Sequence, residues 1–168
     1  KLFPDFVTIQ QKPQILSGYG SAPFDQQGVK TRDLHYIEQG NLVNYVLGNY
    51  SAKKLGMSTT GNAGGVFNLS INHSGKGLAY LCKAIGTGLL VTELIGQGVN
   101  IMTGDYSRGA AGFWVEKGEI QYPVHEVTIA GNLRDMFANL MMVGNDIDLF
   151  SNVRTGSIAI SEMTVAGR

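Results

Sequence analysis

Cysteine, proline and tryptophan are scarce in this chain of 168 residues, which contains one Cys, four Pro and one Trp. A single cysteine excludes an internal disulfide framework and any metal site built from cysteine ligands alone. No apolar run approaches the ~18 residues that a membrane-spanning helix needs. The first residues also lack the apolar stretch of a signal peptide. We therefore expect neither a disulfide-stapled secreted domain nor a membrane protein.

Charged residues are also few, at 15%, and they balance at 13 Lys and Arg against 13 Asp and Glu. Direct binding of nucleic acid requires many unopposed cations to neutralise phosphates. Attraction to an anionic membrane surface has the same requirement. The balanced charge therefore predicts no direct nucleic-acid partner and no membrane partner. Glycine is abundant instead, with 23 residues, about twice its average frequency.

The apolar pattern predicts many strands. Two-residue turn signals at Gln39-Gly40 and Lys117-Gly118 each separate two apolar runs, which is typical of β-hairpins. The string TTGNAGG over residues 59–65 and the turn-rich stretch 13–27 are predicted to be irregular. The predicted strands cover residues 5–9, 34–38, 42–47, 66–71, 89–95, 99–102, 110–116, 119–129 and 157–165.

Two segments have the apolar spacing of amphipathic helices. The first covers residues 78–85, with Gly86 and Gly88 ending it. The second is predicted over residues 133–142, with Asn132 as its N-cap and Gly144 following its end. Strands and hairpins separated by so few helices predict an α+β fold: a mainly antiparallel β-sheet or barrel with two or three helices packed on it.

The usual catalytic motifs fail on spacing. His125-Glu126 begins like the zinc motif H-E-x-x-H, but the position that requires the second histidine is Ile129. His35 and His73 have no neighbours at ligand spacing. We therefore predict no catalytic residue and no metal ligand in this chain.

The two candidate nucleophiles are discounted for separate reasons. Cys82 lies on the apolar stripe of the first helix, where a buried thiol is inert. Ser107 lacks the G-x-S-x-G spacing of a nucleophile elbow, and no histidine is close in sequence.

The densest cluster of glycine and polar residues lies between residues 96 and 114. Within it we predict a substrate-binding site formed by Gly104, Asp105, Tyr106, Ser107, Arg108 and Gly109. Glycines would leave backbone free to pair with an extended peptide, and Arg108 would offer its guanidinium to a carboxylate or carbonyl. The alternative, held equally open, is that Asp105 and Arg108 pair with each other and merely fix a turn.

Several long strings resemble one protein family. They are SAPFD at 21–25, STTGNAGG at 58–65, GLLVTELIGQG at 88–98, TGDYSRGAAGFWVE at 103–116, GEIQYPV at 118–124, IAGNL at 129–133, VGND at 143–146 and MTVAG at 163–167. Together they resemble the C-terminal domain of the TldD/PmbA family, historically labelled modulators of DNA gyrase, and within it the PmbA branch. The resemblance covers nearly the whole chain. Because the family's proteins are much longer, residues 1–168 are expected to be one C-terminal domain whose N-terminal domain is absent.

The resemblance implies a cytoplasmic peptide-cleaving system. In this family the TldD branch carries H-E-x-x-x-H and a cysteine that bind zinc, and the PmbA branch is its metal-free partner in a heterodimer. Where the cysteine ligand would lie, this chain has Arg154-Thr155-Gly156, and a threonine hydroxyl is a poor zinc ligand. The expected role is a non-catalytic partner subunit that helps to bind unfolded or leader peptides, as a heterodimer with a TldD-type subunit that holds the zinc, or as a homodimer.

Two alternatives remain open at this point. The chain could be a regulatory protein-binding module of the gyrase-modulator type, with no role in proteolysis. It could also belong to a self-sufficient zinc peptidase whose metal-binding helix lies upstream.

Overall fold

The computed structural model describes residues 1–167, which divide into two compact units. Unit 1 contains Phe3–His73 and Ile147–Gly156, together with Lys1. Unit 2 contains Leu2, Ser74–Asp146 and the stretch that begins at Ser157.

The described residues form eleven strands and three helices. In chain order these are β1 (Ile9–Gln11), β2 (Leu34–Glu38), β3 (Asn41–Leu42), α1 (Asn49–Lys54), β4 (Leu69–Ile71), α2 (Leu78–Ile85), β5 (Gly88–Ile95), β6 (Asp105–Glu116), β7 (Glu119–Asn132), α3 (Leu133–Ala138), β8 (Leu140–Val143), β9 (Val153–Arg154), β10 (Ile158–Ile160) and β11 (Thr164–Ala166).

Unit 1 is built on a five-stranded sheet with the order β3-β2-β1-β4-β9. Its pairs are antiparallel except for β4 and β9, which run parallel. The predicted turn between β2 and β3 is confirmed: Gln39 and Gly40 have φ values of 46° and 76°, as a two-residue type I′ turn requires. The second strand of this hairpin ends at Leu42 and does not extend to residue 47.

Buried amide side chains hold the irregular parts of unit 1 in place. Gln11 donates to the carbonyl oxygen of Arg32 (3.0 Å), and its own oxygen accepts from the Asn62 amide (2.8 Å). Asn68 donates to the carbonyl oxygen of Lys12 (3.0 Å) and accepts from the backbone N–H of Gly20 (2.8 Å). These bonds replace the ladder bonds that irregular backbone cannot make, which explains how the predicted irregular strings stay ordered.

The carboxylate of Asp25 also holds irregular backbone of unit 1 in place. Its carboxylate accepts from the backbone N–H groups of Gln27 (2.8 Å), Val29 (2.9 Å) and Ala63 (2.9 Å). Burial acts to raise the pKa of Asp25, but the three N–H donors outweigh it and hold the pKa below its ordinary value. The carboxylate therefore joins two loops of unit 1 that are distant in sequence.

Unit 2 contains a four-stranded antiparallel sheet with the order β11-β7-β6-β5. The long β6–β7 hairpin turns at Lys117 and Gly118, both at positive φ, as predicted. Ala110, Val127 and Ile129 form its buried centre. The predicted helix over residues 78–85 is confirmed as α2.

Both neighbours of β6 bulge at the level of Ala111. The β5–β6 register skips Thr92, and residues 125–126 of β7 stand opposite the single residue Ala111. Glu126 adopts φ 56° at this point. Bulges of this kind bend a strand and increase its twist, so the sheet of unit 2 bends at Ala111. No closed barrel forms among residues 1–167, since β5 and β11 are both edges. The α+β prediction is confirmed in its open-sheet form.

The second predicted helix is shorter than expected. Asn132 caps it as predicted, its side-chain oxygen accepting from the N–H of Arg134 (3.0 Å). However, α3 ends at Ala138, so Gly144 does not follow the helix. Residues 140–143 pair with β10 and bury Leu140 and Val143.

Other predicted strands differ from those observed. The strand predicted over 5–9 begins only at Ile9, and the strand predicted over 66–71 begins only at Leu69. Residues 99–102 contribute one isolated bridge, from Val99 to Tyr106, and form no strand. The last predicted strand, 157–165, is divided into β10 and β11.

Candidate functional site

The predicted substrate-binding residues lie in the interior of the unit 2 sheet. Gly104 precedes β6, and residues 105–109 form its first half. On one side they pair with β7. On the other side, the N–H of Ser107 donates to the backbone carbonyl oxygen of Gly98 (2.7 Å). The N–H of Asn100 donates to the backbone carbonyl oxygen of Asp105 (2.8 Å). The backbone here is therefore already paired on both sides, and the expectation that it is free to accept a peptide strand is wrong.

Asp105 and Arg108 do not form the expected turn-fixing pair. They lie three residues apart on a strand, which directs their side chains to opposite faces. The Asp105 carboxylate accepts from the hydroxyl of Thr103 (2.7 Å), and a guanidinium N–H of Arg108 donates to the carbonyl oxygen of Leu94 (3.3 Å). The ion pair within residues 1–167 is elsewhere, between Lys1 and Asp5. The Nε of Arg108 is buried without a hydrogen-bond partner in the described chain.

The glycines around this segment permit close backbone packing. A Cβ at Gly98 would overlap the carbonyl oxygen of Ser107. Gly104 has φ 83°, a conformation that side chains disfavour. The glycine-rich string is thus explained by the approach of residues 96–104 to β6.

Residues 96–104, here called the tip loop, are ordered by their own hydrogen bonds. The Asn100 side-chain oxygen accepts from the N–H groups of Met102 (3.0 Å) and Thr103 (3.3 Å). The amide of Asn132 donates to the carbonyl oxygen of Thr103 (3.1 Å). At the tip, Ile101 and Met102 are 85% and 90% exposed.

A cavity of about 730 Å³ in unit 2 is large enough to hold a ligand. Its walls are the apolar stripe of α2, most of β5, and residues 157–163. Of the six predicted site residues, only Tyr106 lines it. Sequence reasoning missed this cavity because its walls come from distant segments. The available signal is the α2 stripe, whose apolar spacing predicts a buried face but does not distinguish a packed core from a cavity wall.

Strand β5 forms one rim of this cavity and is an edge of the sheet. Within residues 1–167 it has a single neighbouring strand, β6. Its outer N–H and C=O groups can therefore pair with another extended chain. Leu89, Leu90 and Val91 line the adjoining cavity. An extended peptide added to β5 would place alternate side chains beside an apolar cavity.

The described residues do not fit a zinc ion. No group of three His, Cys, Asp or Glu side chains within residues 1–167 is close enough to hold a metal. His125 and Glu126 lie exposed on the β7 bulge, and Cys82 is a buried free thiol. At the position expected for a cysteine ligand, the hydroxyl of Thr155 donates to the carbonyl oxygen of Gly156 (3.0 Å). None of the helices in this part of the chain has the length and apolar character needed to cross a bilayer.

The comparisons place this domain among the C-terminal domains of metallopeptidases. The chain belongs to the TldD/PmbA family: it matches the PmbA/TldA metallopeptidase C-terminal domain over residues 1–167. It is 53% identical to the metalloprotease PmbA of Escherichia coli O157:H7 over 168 residues, which is all of this chain and 37% of that protein. The chain therefore spans little more than a third of the length of this relative.

Solved structures agree with this assignment. A proposed modulator of DNA gyrase from Bacteroides thetaiotaomicron superposes with a TM-score of 0.92 at 31% identity, covering all of this chain and 38% of that one. TldE from Thermococcus kodakarensis superposes with a TM-score of 0.84 at 26% identity, covering 99% and 41%.

Two relatives from one organism separate the branches of the family. In Buchnera aphidicola from Acyrthosiphon pisum, the PmbA homologue is 46% identical to this chain over 167 residues, covering 99% of it and 37% of the homologue. The TldD homologue is 22% identical over 160 residues, which are 89% of this chain and 33% of that homologue. The sequence is therefore more similar to the PmbA relative than to the TldD relative of the same organism.

Proposed function

We propose that this chain is the C-terminal domain of the metal-free subunit of a cytoplasmic, TldD/PmbA-type heterodimeric zinc metallopeptidase. In this proposal a TldD-type subunit holds the zinc, and the present chain contributes substrate binding and assembly. The observation that carries the proposal is the identity of 46% to the PmbA homologue of Buchnera aphidicola, against 22% to the TldD homologue of the same organism. Thr155, at the position where the resemblance places the TldD-type cysteine ligand, supports the same branch.

The substrate would be an unfolded or leader peptide bound in extended form. Main-chain bonds to the outer edge of β5 would tolerate many sequences, because every residue offers a backbone. Side chains of the peptide would enter the apolar cavity beside Leu90. Within the predicted site, Tyr106 lines that cavity and Arg108 holds the far end of β5 through Leu94. Arg108 would act by positioning β5 or by a direct contact with the peptide.

Steady-state peptide cleavage by the full-length heterodimer tests this proposal. Leu90→Lys places a charge in the cavity, whereas Ile120→Lys places the same charge on an exposed apolar position of β7 outside it. Losing the burial of one leucine-sized contact costs about 1.5–3 kcal/mol, so KM should rise roughly 10- to 100-fold for Leu90→Lys. Equal KM values for the two variants, with both heterodimers intact, would refute peptide binding at this cavity.

Arg108→Ala and Arg108→Lys separate the two roles of Arg108. If Arg108 contacts the peptide by a charge-assisted bond, its loss costs about 1.5–3 kcal/mol and turnover falls roughly 10- to 100-fold. Heterodimer formation should not change. Cleavage at the wild-type rate by Arg108→Ala would exclude both roles, and rescue by lysine would favour direct contact, since lysine keeps the charge but loses the planar fork.

The alternatives give different results in the same system. A regulatory module without a role in proteolysis predicts that cleavage by the TldD-type subunit does not depend on this chain. A self-sufficient zinc peptidase predicts tightly bound zinc in the full-length protein after dialysis, and cleavage without a second subunit.

A further inference from the structure

A recess of about 380 Å³ in unit 1 brings three cations together. Lys12 directly follows β1, and Lys30 and Arg32 lie shortly before β2, so the antiparallel pairing of these strands places the two segments side by side. Among the described residues that line the recess, Asp33 is the single acid. These four side chains carry three positive charges and one negative charge, in a chain whose charges balance overall.

Buried amide side chains fix the backbone on both sides of this recess. Asn68, 1% exposed, donates to the carbonyl oxygen of Lys12 (3.0 Å). Gln11, fully buried, donates to the carbonyl oxygen of Arg32 (3.0 Å). Because these bonds hold the two cation-bearing segments in place before a ligand arrives, binding costs less conformational entropy.

The cations themselves remain available to a ligand. One guanidinium N–H of Arg32 donates to the carbonyl oxygen of Thr59 (3.2 Å), which orients the planar group. A guanidinium has five N–H donors, so it can hold this loop and a ligand together. Lys12 and Lys30 are exposed. Within residues 1–167, none of the three cations forms an ion pair with Asp33.

The net charge of the recess indicates which ligand it fits. A phosphate monoester carries a charge of about −1.5 to −2 at neutral pH and offers three acceptor oxygens, which matches an excess of two positive charges. Arginine binds phosphate through its planar fork, and lysine binds it as a point charge. Nucleic acid requires many more phosphate contacts, and an anionic membrane requires clusters of roughly four to eight cations. A small phosphate is therefore the class of ligand that fits.

We propose that this recess binds a small dianionic phosphate, free or as a monoester, through Lys12, Lys30 and Arg32. These residues belong to unit 1, whereas the residues of the proposed peptide site belong to unit 2. The phosphate site does not depend on the proposed function. Its ligand joins the segment after β1 to the segment before β2.

The test is isothermal titration calorimetry of the full-length protein with inorganic phosphate and with glycerol 3-phosphate. Low ionic strength is used because salt screens exposed charges. Lys12→Gln/Lys30→Gln removes two charges and leaves the arginine bond in place. The matched control, Lys53→Gln/Lys54→Gln, removes the same charge from α1 of the same unit, outside the recess. The recess variant should bind about 10- to 100-fold more weakly, and the control within about twofold.

A second variant keeps the proposal testable if the lysine variant fails to fold. Asp33→Asn removes a like charge that faces the ligand, so it should tighten binding about threefold. Unchanged or weaker binding by Asp33→Asn would contradict the charge argument. Equal losses in the lysine variant and its control would show that binding follows net charge alone, which overturns the proposal.

The two probes identify the source of the phosphate. Equal affinities support free phosphate as the ligand, and tighter binding of glycerol 3-phosphate supports a monoester. No binding of either probe to the wild-type protein overturns the proposal. Binding of a glutamate-rich peptide, with no response to either phosphate, would assign the recess to an acidic peptide instead.

Discussion

Gly112 sets the spacing between β5 and β6, so Gly112→Ala should be strongly destabilising. A Cβ at this position would overlap the carbonyl oxygen of Leu90 and lie 2.9 Å from its carbonyl carbon and 3.0 Å from the Cα of Val91. All three atoms belong to the backbone, so no side-chain rotation relieves the clash. β5 must move away from β6, which weakens one or two ladder bonds worth about 0.5–1.5 kcal/mol each and leaves buried polar groups unpaired at about 1–3 kcal/mol.

The expected loss of unfolding free energy is about 2–4 kcal/mol after a gain of about 0.4–1 kcal/mol from the stiffer unfolded chain. For a chain of this length, that lowers the melting temperature by about 4–16 °C. Urea unfolding measures the loss of unfolding free energy, with circular dichroism and the fluorescence of Trp114, the single tryptophan, as probes. Gly109→Ala on the same strand is the matched control, because its Cβ would only contact the exposed Ile95 at 3.3 Å. Equal stability of the two variants would refute the role of Gly112.

Further predictions concern burial and titration. Leu81 on α2 is 2% exposed, so Leu81→Ala should lower the free energy of unfolding by about 2–5 kcal/mol. An unchanged urea midpoint would show that this helix face is not packed. Burial raises the pKa of Tyr36 to about 12, although nearby Asn62 and Arg32 act to lower it. Because the folded state holds the phenolic proton more tightly, stability should fall as the pH rises from 10 to 12, and Tyr36→Phe should flatten this dependence in alkaline unfolding curves. The Ser157 hydroxyl, together with the Ser157 N–H, holds the pKa of Asp146 below its ordinary value. This contribution is present at neutral pH and is lost as the pH falls through the lowered pKa, so Ser157→Ala should destabilise at pH 7, and its difference from the wild type should shrink as the pH is lowered in urea unfolding curves.

Elements defined by local signals were predictable from the sequence. The α2 stripe and the Lys117-Gly118 turn depend on neighbours within a few residues, and both are confirmed. The end of α3 depends on a distant partner: residues 140–143 have a helical apolar pattern, but β10, about 16 residues later, pairs with them. Phe137, on this shortened helix, is 38% exposed. A single sequence does not reveal which long-range pairing overrides local propensity.

In the candidate site, too, local features were predictable from the sequence and long-range contacts were not. The glycine-rich string around Arg108 is recognisable in the sequence, but its backbone pairing with residues 98–100 is not. The sequence therefore predicts a free surface where the structure has an interior strand. The cavity was not predictable because α2, β5 and residues 157–163 meet only in the folded unit. Fold class and family were carried by long contiguous strings, whereas the shape of the site depends on contacts between distant segments.

The divided chain of unit 1 has a consequence for synthesis on the ribosome. β9 pairs with β4, and Asn152 bonds to the backbone of Val66, Asn68 and Leu69. At about 5–20 residues per second, β9 leaves the peptidyl transferase centre roughly 4–16 s after β4. Throughout that interval the nascent sheet has an unpaired edge at β4, open to neighbouring chains. A chain held on a ribosome stalled between these two strands therefore carries a sheet without its last strand, and its exposed edge is a surface that a chaperone could cover.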